Sequence, residues 1–333
     1  MSRNPPPVPL ARNGVFPPFY PPQPRIVAGA EHLPRITVVT PSYNQAAYLE
    51  ATIRSVLEQG YPNLEYIVID GGSTDGSRDI LEYYGPWLSH WVSERDSGQT
   101  EAILKGFTRA TGEWFNWINS DDLLAPGALW RIAGFGDDVD AVAGLTQEFR
   151  GNAEQRLTAC HGLDVKQLLF EKLEGHVSWH QPSIWLRRSR MDASMLNPRL
   201  HYRFDYELLL RYLNRHPRVR YLEDALAYFR LHPDSKTISQ IDRFLPEHLD
   251  VLRRLSAEPE FAPWRDRIAL ALRRWQWLEQ LDALLDDRAT SRWRRIARLV
   301  VEASRDRPAR CFKPTRRAVR RLLLRGGKRT KSG

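Results

Sequence analysis

The regular alternation of strand-like and helix-like segments after Pro34 constrains the fold more than any other feature. Runs of apolar, β-branched residues alternate with segments in which apolar residues recur every three or four positions. This pattern predicts strands at 35–40, 64–70, 90–94, 113–118 and 139–149, and helices from Ala46 toward Gly60, at 77–84, at 98–110 and from Pro126. Such an alternation is typical of an α/β fold, in which helices cover a mostly parallel sheet.

Polar residues follow each of the first four predicted strands. These clusters are Thr40–Asn44, Asp70–Ser73, Glu94–Gly98 and Asn119–Asp122. The carboxyl ends of parallel strands lie at one edge of the sheet, where α/β proteins bind ligands. Four clusters in register therefore predict a binding site at that edge. Neither the P-loop spacing nor the Gly-x-Gly-x-x-Gly fingerprint is present in the sequence.

Three of these acids have both a functional and a structural interpretation. Asp121 and Asp122 offer oxygens that suit Mg²⁺ or Mn²⁺ on a phosphate, but acids just before Pro126 also serve as helix N-caps. Asp70 precedes two glycines, so it would suit either hydrogen bonds to a base or ribose or the closing of a turn. The residues alone leave both interpretations open.

Several segments together resemble a family 2 glycosyltransferase of the GT-A fold, over roughly residues 34–235. They are TPSYNQ (40–45), IDGGSTDGS (69–77), SERDSGQ (93–99), WINSDD (117–122), HQPSIWLRRS (180–189), YRFDYELLLR (202–211) and AYFRLHPDSKT (227–237). Each motif is weak alone, and their combination is specific. The resemblance implies a GT-A type, Rossmann-like sheet with flanking helices.

The resemblance also implies roles for individual residues. It assigns the nucleotide to Thr40, Pro41, Tyr43, Asp70, Asp96, Ser120 and Asp121. It assigns a divalent cation, Mn²⁺ or Mg²⁺, to Asp121, Asp122 and His232, and the role of catalytic base to Asp205. A cation would stabilise the departing nucleotide diphosphate while one carboxylate takes the acceptor proton, which gives single displacement with inversion.

Three positions depart from the pattern of many relatives. Gly71 and Asn119 stand where many relatives have Asp, and Phe204 stands where Glu usually precedes the base. The third departure makes Glu207 a rival base, although a residue two positions further along a helix faces elsewhere. Trp179 and Trp185 are candidate surfaces for stacking of an acceptor, although core packing is the commoner use of tryptophan.

The positive net charge is confined to the C-terminal end. The last 46 residues carry 17 Lys and Arg against two acids, a net charge of +15, and residues 1–287 carry −6. Segments 291–304 and 315–331 place apolar residues on one helical face and arginines on the others, which is typical of helices that lie on an anionic membrane. A solvated helix pair on the domain and a disordered end remain alternatives. Few aromatic residues are interleaved, so nucleic acid is not favoured.

The ends and cysteines complete the expected organisation. Ten of the 23 prolines lie within the first 34 residues, which predicts an extended or disordered leader rather than a signal peptide. Two cysteines make no disulfide framework, which favours a reducing compartment. We expect a leader (1–33), a GT-A domain (34–240, with nucleotide-binding and acceptor halves 34–125 and 126–240), a helical extension (241–287) and a basic tail (288–333).

The predicted function is that of a metal-dependent inverting glycosyltransferase. It would move a sugar from a UDP-, GDP- or dTDP-linked donor to a lipid-linked or polysaccharide acceptor, in the cytoplasm at the inner face of the plasma membrane. A non-catalytic basic adaptor for membrane or nucleic acid is the alternative from another class. A sugar nucleotidyltransferase is less favoured, because TPSYNQ is not the Gly-rich basic loop that such an enzyme has after its first strand.

Overall fold

The computed structural model describes residues 33–151, 153–170, 173, 179–233, 235–236, 243–287, 290–305, 315 and 318. The predicted leader and the second basic segment therefore lie almost wholly outside the described residues. The chain forms two compact units. One consists of the described residues within Met1–Leu168 and Val177–Glu247, and the other of those within Leu169–His176 and His248–Gly333.

The described part of the first unit contains a nine-stranded sheet. Its strands are β1 (Ile36–Ser42), β2 (Leu64–Asp70), β3 (His90–Ser93), β4 (Trp114–Trp117), β5 (Leu123–Leu124), β6 (Ala141–Arg150), β7 (Ala153–Thr158), β8 (Ile184–Arg187) and β9 (Val219–Arg230). The order is β3-β2-β1-β4-β8-β6-β9-β5, and β7 pairs with β6. The first four strands are parallel to one another, as expected from their helical connections. Antiparallel β8 joins β4 to β6.

The helices agree closely with the pattern of apolar residues. They are α1 (Ala46–Leu57), α2 (Ser77–Tyr84), α3 (Gln99–Arg109), α4 (Ala128–Ile132), α5 (Val165–Leu169), α6 (Phe204–Arg215), α7 (Phe244–Ala257), α8 (Arg265–Asp286) and α9 (Arg292–Arg305). Short 3₁₀ turns lie at Gly85–Trp87, Gln181–Ser183, Arg188–Arg190, Ala193–Met195 and Pro259–Trp264. The α/β fold is thus confirmed, with predicted ends of the first strands and helices within about three residues.

Strand β1 is the centre of the nucleotide-side half. All seven of its residues are buried, because β2 and β4 pair with its two edges and helices cover its faces. Helix α3 approaches β1 closely at Gly106, where a Cβ atom would lie 2.5 Å from Cγ1 of Val39. A side chain at residue 106 would push the helix away from the sheet. The glycine therefore allows the close approach of α3 to β1.

A second, antiparallel pairing completes that edge. The two residues of β5 pair with Tyr228 and Ala227 of β9. Strand β9 in turn runs parallel to β6 and ends at Arg230. The chain after β9 is therefore carried to the loop that follows β4, although the two are far apart in sequence.

The second unit is helical in its described part. Its core contains apolar side chains of α7, α8, α9 and the 3₁₀ turn Pro259–Trp264, among them Val251, Leu252, Phe261, Ile268 and Leu299. Trp277 donates a hydrogen bond from Nε1 to Oγ1 of Thr315, 2.7 Å away. No helix within the described ranges is long and apolar enough to cross a bilayer.

Candidate active site

The loops after β1 and β2 are tied together by short polar side chains. Asn44 has a φ of 52°, which an asparagine tolerates better than most residues. Its backbone N–H donates to Oγ of Ser73 at 2.7 Å, and its Oδ1 accepts from the N–H of Thr74 at 2.9 Å. Asp75 accepts from the N–H groups of Ala46 and Ser77, so one carboxylate serves the first turns of both α1 and α2. The STDGS segment (73–77) therefore holds the loops after β1 and β2 together.

Asp70 is fully buried at the end of β2, and its carboxylate is used by the protein itself. Oδ2 accepts from the N–H groups of Gly72 and Ser73 at 3.1 and 2.9 Å and from Oγ of Ser93 at 2.7 Å. Oδ1 accepts from Oγ of Ser73 at 2.5 Å. Four donors leave little capacity for a ligand. The nucleotide contact predicted for Asp70 stays a prediction. In the structure its carboxylate stabilises the loop that follows β2.

Gly71 lies directly against the carboxylate of Asp96. A Cβ atom at residue 71 would be 3.1 Å from each carboxylate oxygen of Asp96. Burial raises the pKa of Asp96, an effect that the hydrogen bond from the N–H of Gly98 only partly offsets. A side chain at residue 71 would therefore press on the carboxylate of Asp96, which glycine avoids.

The two aspartates after β4 lie in different environments. Asp122 is buried, and its Oδ1 accepts from the N–H of Arg230 at 3.0 Å, while Oδ2 accepts from Nδ2 of Asn119 at 3.2 Å. Burial, and then the neighbouring carboxylate of Asp121, raise the pKa of Asp122 well above its ordinary value. Thr52 of α1 holds the loop, with Oγ1 2.8 Å from the carbonyl oxygens of Ser120 and Asp122.

Asp121 points to a more open position, and its side chain is 21% exposed. Its Oδ2 lies 3.0 Å from Nε2 of His232, which comes from the chain just after β9. The ring of His232 packs on Tyr48, with centroids 4.7 Å apart. The structure therefore brings together two of the three predicted metal ligands, from positions 111 residues apart. Asp122 accepts from the N–H of Arg230 and from Nδ2 of Asn119, and its role as a metal ligand stays a prediction.

Arg230 is a site residue that the sequence analysis missed. Its Nε donates to the carbonyl oxygen of Asp121 at 2.7 Å, and its guanidinium lies over the rings of Tyr48 and Phe149. Arg230 thus places a buried positive charge against the aspartate loop, Asn119–Asp122. Its position two residues before His232, in a segment that carries the resemblance, was the signal available.

The remaining predicted nucleotide residues lie at or near the same edge. Thr40 is buried in β1, with Oγ1 3.0 Å from the hydroxyl of Tyr66. Pro41 pairs with Ile69 in the sheet register, and Ser120 is buried in the aspartate loop. Tyr43 is 62% exposed, which leaves its ring available for stacking on a base. Placement at this edge agrees with the expectation, while ligand contact stays a prediction.

Asp205 and Glu207 have different surroundings at the start of α6. Asp205 is half-buried, and its Oδ1 accepts from the N–H of Tyr206 at 2.7 Å. Glu207 is buried and accepts from Nε and Nη2 of Arg211 at 2.9 and 2.7 Å. Both contacts from Arg211 reach Oε1 of Glu207. The role of Asp205 as catalytic base stays a prediction, and the rival Glu207 is paired with Arg211.

The aromatic candidate on the acceptor side is part of the core. Trp185 in β8 is fully buried among apolar side chains and is unsuited to stacking with an acceptor. Cys160 is likewise buried, and burial raises the pKa of its thiol to about 12, so that it is not a nucleophile at neutral pH.

Asp121 and His232 are the residues that could hold a divalent cation. No group of three or more His, Cys, Asp or Glu side chains within the described ranges has the geometry of a metal site. Nδ1 of His232 is buried without a hydrogen-bond partner among those residues, and Nε2 donates to the carboxylate of Asp121, which can only accept. If the ring proton lies on Nδ1 instead, Nε2 can bind a cation. Two protein ligands suit a cation that completes its coordination with phosphate oxygens and water.

The comparison with protein families agrees with this geometry. The model described as glycosyl transferase family 2 matches residues 37–189. These residues belong to that family, and the sheet and helices have the GT-A type of fold. The matched segment contains the Asp70 and Asp121 loops, whereas Asp205 and His232 lie beyond it.

Curated relatives match the same region. TuaG, a putative teichuronic acid biosynthesis glycosyltransferase of Bacillus subtilis, is 41% identical over 92 residues, which cover 27% of this chain and 36% of the relative. A PGL/p-HBAD biosynthesis glycosyltransferase of Mycobacterium bovis is 33% identical over 106 residues, which cover 31% of this chain and 41% of the relative. The chain thus spans about a third of the length of the curated relatives it matches.

Solved structures resemble most of the chain in fold. S. aureus TarS 1–349 in complex with UDP-GlcNAc has a TM-score of 0.60 and 17% identity, covering 86% of this chain and 92% of that chain. The mannosyltransferase PcManGT of Pyrobaculum calidifontis, in complex with GDP-Man and Mn²⁺, has a TM-score of 0.51 and 20% identity, covering 91% of this chain and 86% of that chain. At these identities the likeness establishes the fold.

Proposed function

We propose that this chain is a metal-dependent inverting glycosyltransferase that transfers a sugar from a nucleotide-diphosphate donor during cell-surface glycan synthesis. The observation that carries the proposal is the pairing of Asp121 with His232 at the ligand-binding edge of a family 2 domain. That pair offers a cation two ligands at the place where a donor diphosphate would lie. The names of the relatives support a polysaccharide or lipid-linked acceptor, since one is a putative teichuronic acid enzyme.

The role proposed for each acid follows from its surroundings. A cation held by Asp121 and His232 would offset the negative charge of the leaving diphosphate. Asp205, the more accessible of the two acids on α6, would take the proton from the acceptor hydroxyl. Thr100 of α3 donates from Oγ1 to the carbonyl oxygen of Leu200 at 2.6 Å, which ties the donor-side helix to the segment that leads to Asp205.

The test is a transfer assay with the full chain. UDP-, GDP- and dTDP-sugars are incubated with an extract of lipid-linked glycans, with Mn²⁺ or with EDTA, and the anomeric configuration of the product is read by NMR. We expect transfer with inversion from one donor class, and loss of transfer in EDTA. Transfer with retention, or undiminished transfer in EDTA, would contradict the proposed mechanism.

Two conservative variants assign the base. Asp205→Asn should lower the rate of transfer by about 10²- to 10⁴-fold while leaving donor binding intact, because only proton removal is lost. Glu207→Gln is the matched control, and it should lower thermal stability through the lost ion pair with Arg211 more than it lowers transfer. Full activity of Asp205→Asn would remove Asp205 from the mechanism.

We also propose that α9 attaches the protein to an anionic membrane surface. Trp293, Val300 and Val301 are 64%, 53% and 48% exposed, and with Ala297 they form a stripe at helical spacing. Arg294 and Arg298 are exposed on the same helix. An apolar stripe flanked by arginines suits the interface of a bilayer that contains acidic lipids.

Vesicle sedimentation tests this attachment. We expect the full chain to sediment with vesicles of phosphatidylglycerol and not with those of phosphatidylcholine, and the triple variant Trp293→Ser, Val300→Ser, Val301→Ser to lose most of that binding. Arg78→Ser, Tyr83→Ser on exposed α2 is the control. Retained binding by the triple variant, or stronger retention of the chain on DNA than on vesicles, would refute it.

A further inference from the structure

Lys236 lies four residues after His232, at the same edge of the sheet. Its ammonium donates a hydrogen bond to Oε1 of Gln99 at 3.0 Å, and Nζ lies 3.5 Å from the carbonyl oxygen of His201. Gln99 begins the donor-side helix α3, whereas His201 precedes the acceptor-side helix α6. Lys236 thus bridges the two halves of the candidate site through neutral oxygens.

A chain of side-chain amides connects Lys236 to the buried Asp122. Nε2 of Gln99 donates to Oδ1 of Asn119 at 2.6 Å, and Nδ2 of Asn119 donates to Oδ2 of Asp122 at 3.2 Å. Each amide has its oxygen toward the lysine and its nitrogen toward the aspartate, so the chain has one direction. An aspartate at residue 119 would place a second carboxylate against Asp122 without a donor. The asparagine there is therefore part of this arrangement.

Lys236 lies in the electrostatic field of acids from both sides of the site. The carboxylates of Glu247, Asp121, Asp205 and Asp96 all act on its charge, in that order of strength. Desolvation of the ammonium lowers the pKa of Lys236 and these acids oppose the shift, although the side chain as a whole remains exposed. Within the described ranges, no ion pair joins Lys236 to an acid. The strongest of these acids, Glu247, accepts instead from the N–H groups of residues 201–203.

We propose that Lys236 binds the diphosphate of the nucleotide donor beside the Asp121–His232 pair. The inference rests on the proposed function and adds the residue that offsets the charge of the bound anion. Asp96, Asp121 and Asp205 give this site three carboxylates, which would repel a diphosphate. A lysine ammonium is a compact point charge suited to phosphate oxygens, and the amide chain from Asp122 holds this one at the junction of the halves.

The experiment measures binding of UDP, GDP and dTDP to the full chain by calorimetry, in EDTA and in Mn²⁺. Lys236→Met should weaken binding of the preferred diphosphate by about 10- to 100-fold in EDTA, the range for the loss of a charge-assisted hydrogen bond. Lys236→Arg should restore most of it. Lys166→Met, at an exposed position of α5, is the matched control and should bind as the wild type does.

A second comparison separates phosphate binding from a structural role. The nucleoside monophosphate of the same base should lose much less affinity than the diphosphate in Lys236→Met, because the lysine is assigned to the diphosphate. An equal loss for both nucleotides would overturn the assignment, as would unchanged diphosphate binding. Lys236→Gln keeps a hydrogen-bond donor but removes the charge, and it provides the same test if the methionine variant fails to fold.

The failure of this inference is distinguishable from the failure of the proposed function. Unchanged diphosphate binding by Lys236→Met, with normal sugar transfer by the wild type, overturns only the role of Lys236. If the wild type binds no nucleotide in Mn²⁺, both proposals are wrong.

Discussion

The loop after β2 and the loop after β4 both present acids at the ligand-binding edge, yet they use them in opposite ways. Asp70 is fully buried and receives hydrogen bonds from four donors of its own chain. Asp121 keeps 21% of its side chain exposed and pairs with one histidine. A carboxylate whose oxygens are all occupied stabilises a loop, whereas one with spare lone pairs can bind a ligand. Burial and donor count separate these roles where sequence position does not.

The largest expected effect comes from substitution of Asp121, the more exposed of the two acids. Asp121→Asn should lower sugar transfer by about 10²- to 10³-fold, because it removes the charge that would hold the cation at the leaving group. Its melting temperature should stay near that of the wild type, since an amide can still pair with His232. Transfer rate and thermal unfolding are measured on the same preparation. A stability loss without a loss of transfer would reverse the two roles.

Substitution of Asp70, whose oxygens accept four hydrogen bonds, should lower the stability of the protein. Asp70→Asn places an amide NH₂ where N–H and O–H donors converge, and should cost about 2–3 kcal/mol of the free energy of unfolding, measured by urea denaturation. Ser89→Ala, which removes a single hydroxyl beside Tyr66 of β2, is a milder control. A variant that is as stable as the wild type but cannot bind nucleotide would show that Asp70 is a ligand-binding residue after all.

The support of the Asp121 loop gives a smaller effect. Thr52→Val keeps the shape of the side chain but leaves the carbonyl oxygens of Ser120 and Asp122 without its hydroxyl. We expect a loss of about 1–2 kcal/mol in unfolding free energy and a modest rise in the KM for the donor. If neither changes, the loop is held by Arg230 alone, and Arg230→Lys would then be the decisive variant.

The smallest expected effect concerns the contact between residue 71 and the carboxylate of Asp96. Gly71→Asp puts a second carboxylate against that of Asp96, and should weaken nucleotide binding by about 10-fold through like-charge repulsion. The double variant Gly71→Asp, Asp96→Asn should recover much of this loss. Calorimetry on both variants is the measurement. A double variant that binds no better than Gly71→Asp would contradict the proposed repulsion.

Local pattern predicted most of the nucleotide-side half. The strands and helices from Ile36 to Arg109 lie within about three residues of their predicted ends, because apolar periodicity and glycine or proline positions decide them locally. The clustering of polar residues at one edge then follows from parallel pairing alone. The resemblance added the family and the candidate roles.

The rest depends on contacts between distant parts of the chain. The two-residue strand β5 and its pairing with β9 are too short for any periodicity, yet they bring His232 to Asp121. The inward turn of Asp122 is decided by the backbone N–H of Arg230, 108 residues later. Gln99, Asn119 and Lys236 all lie in segments that the sequence analysis quoted, but their hydrogen-bonded chain joins three distant segments and could not be found from spacing.

The late position of His232 and Lys236 has a consequence for biosynthesis. During translation the parallel strands β1 to β4 and the whole family-matched segment emerge first, with the Asp121 loop formed on one side only. The ligand-binding edge is completed when β9 inserts between β6 and β5, a non-local pairing that folds slowly. A nascent chain stalled before residue 230 would therefore carry an exposed strand β6 and no functional centre. Such a chain is a natural target for chaperones.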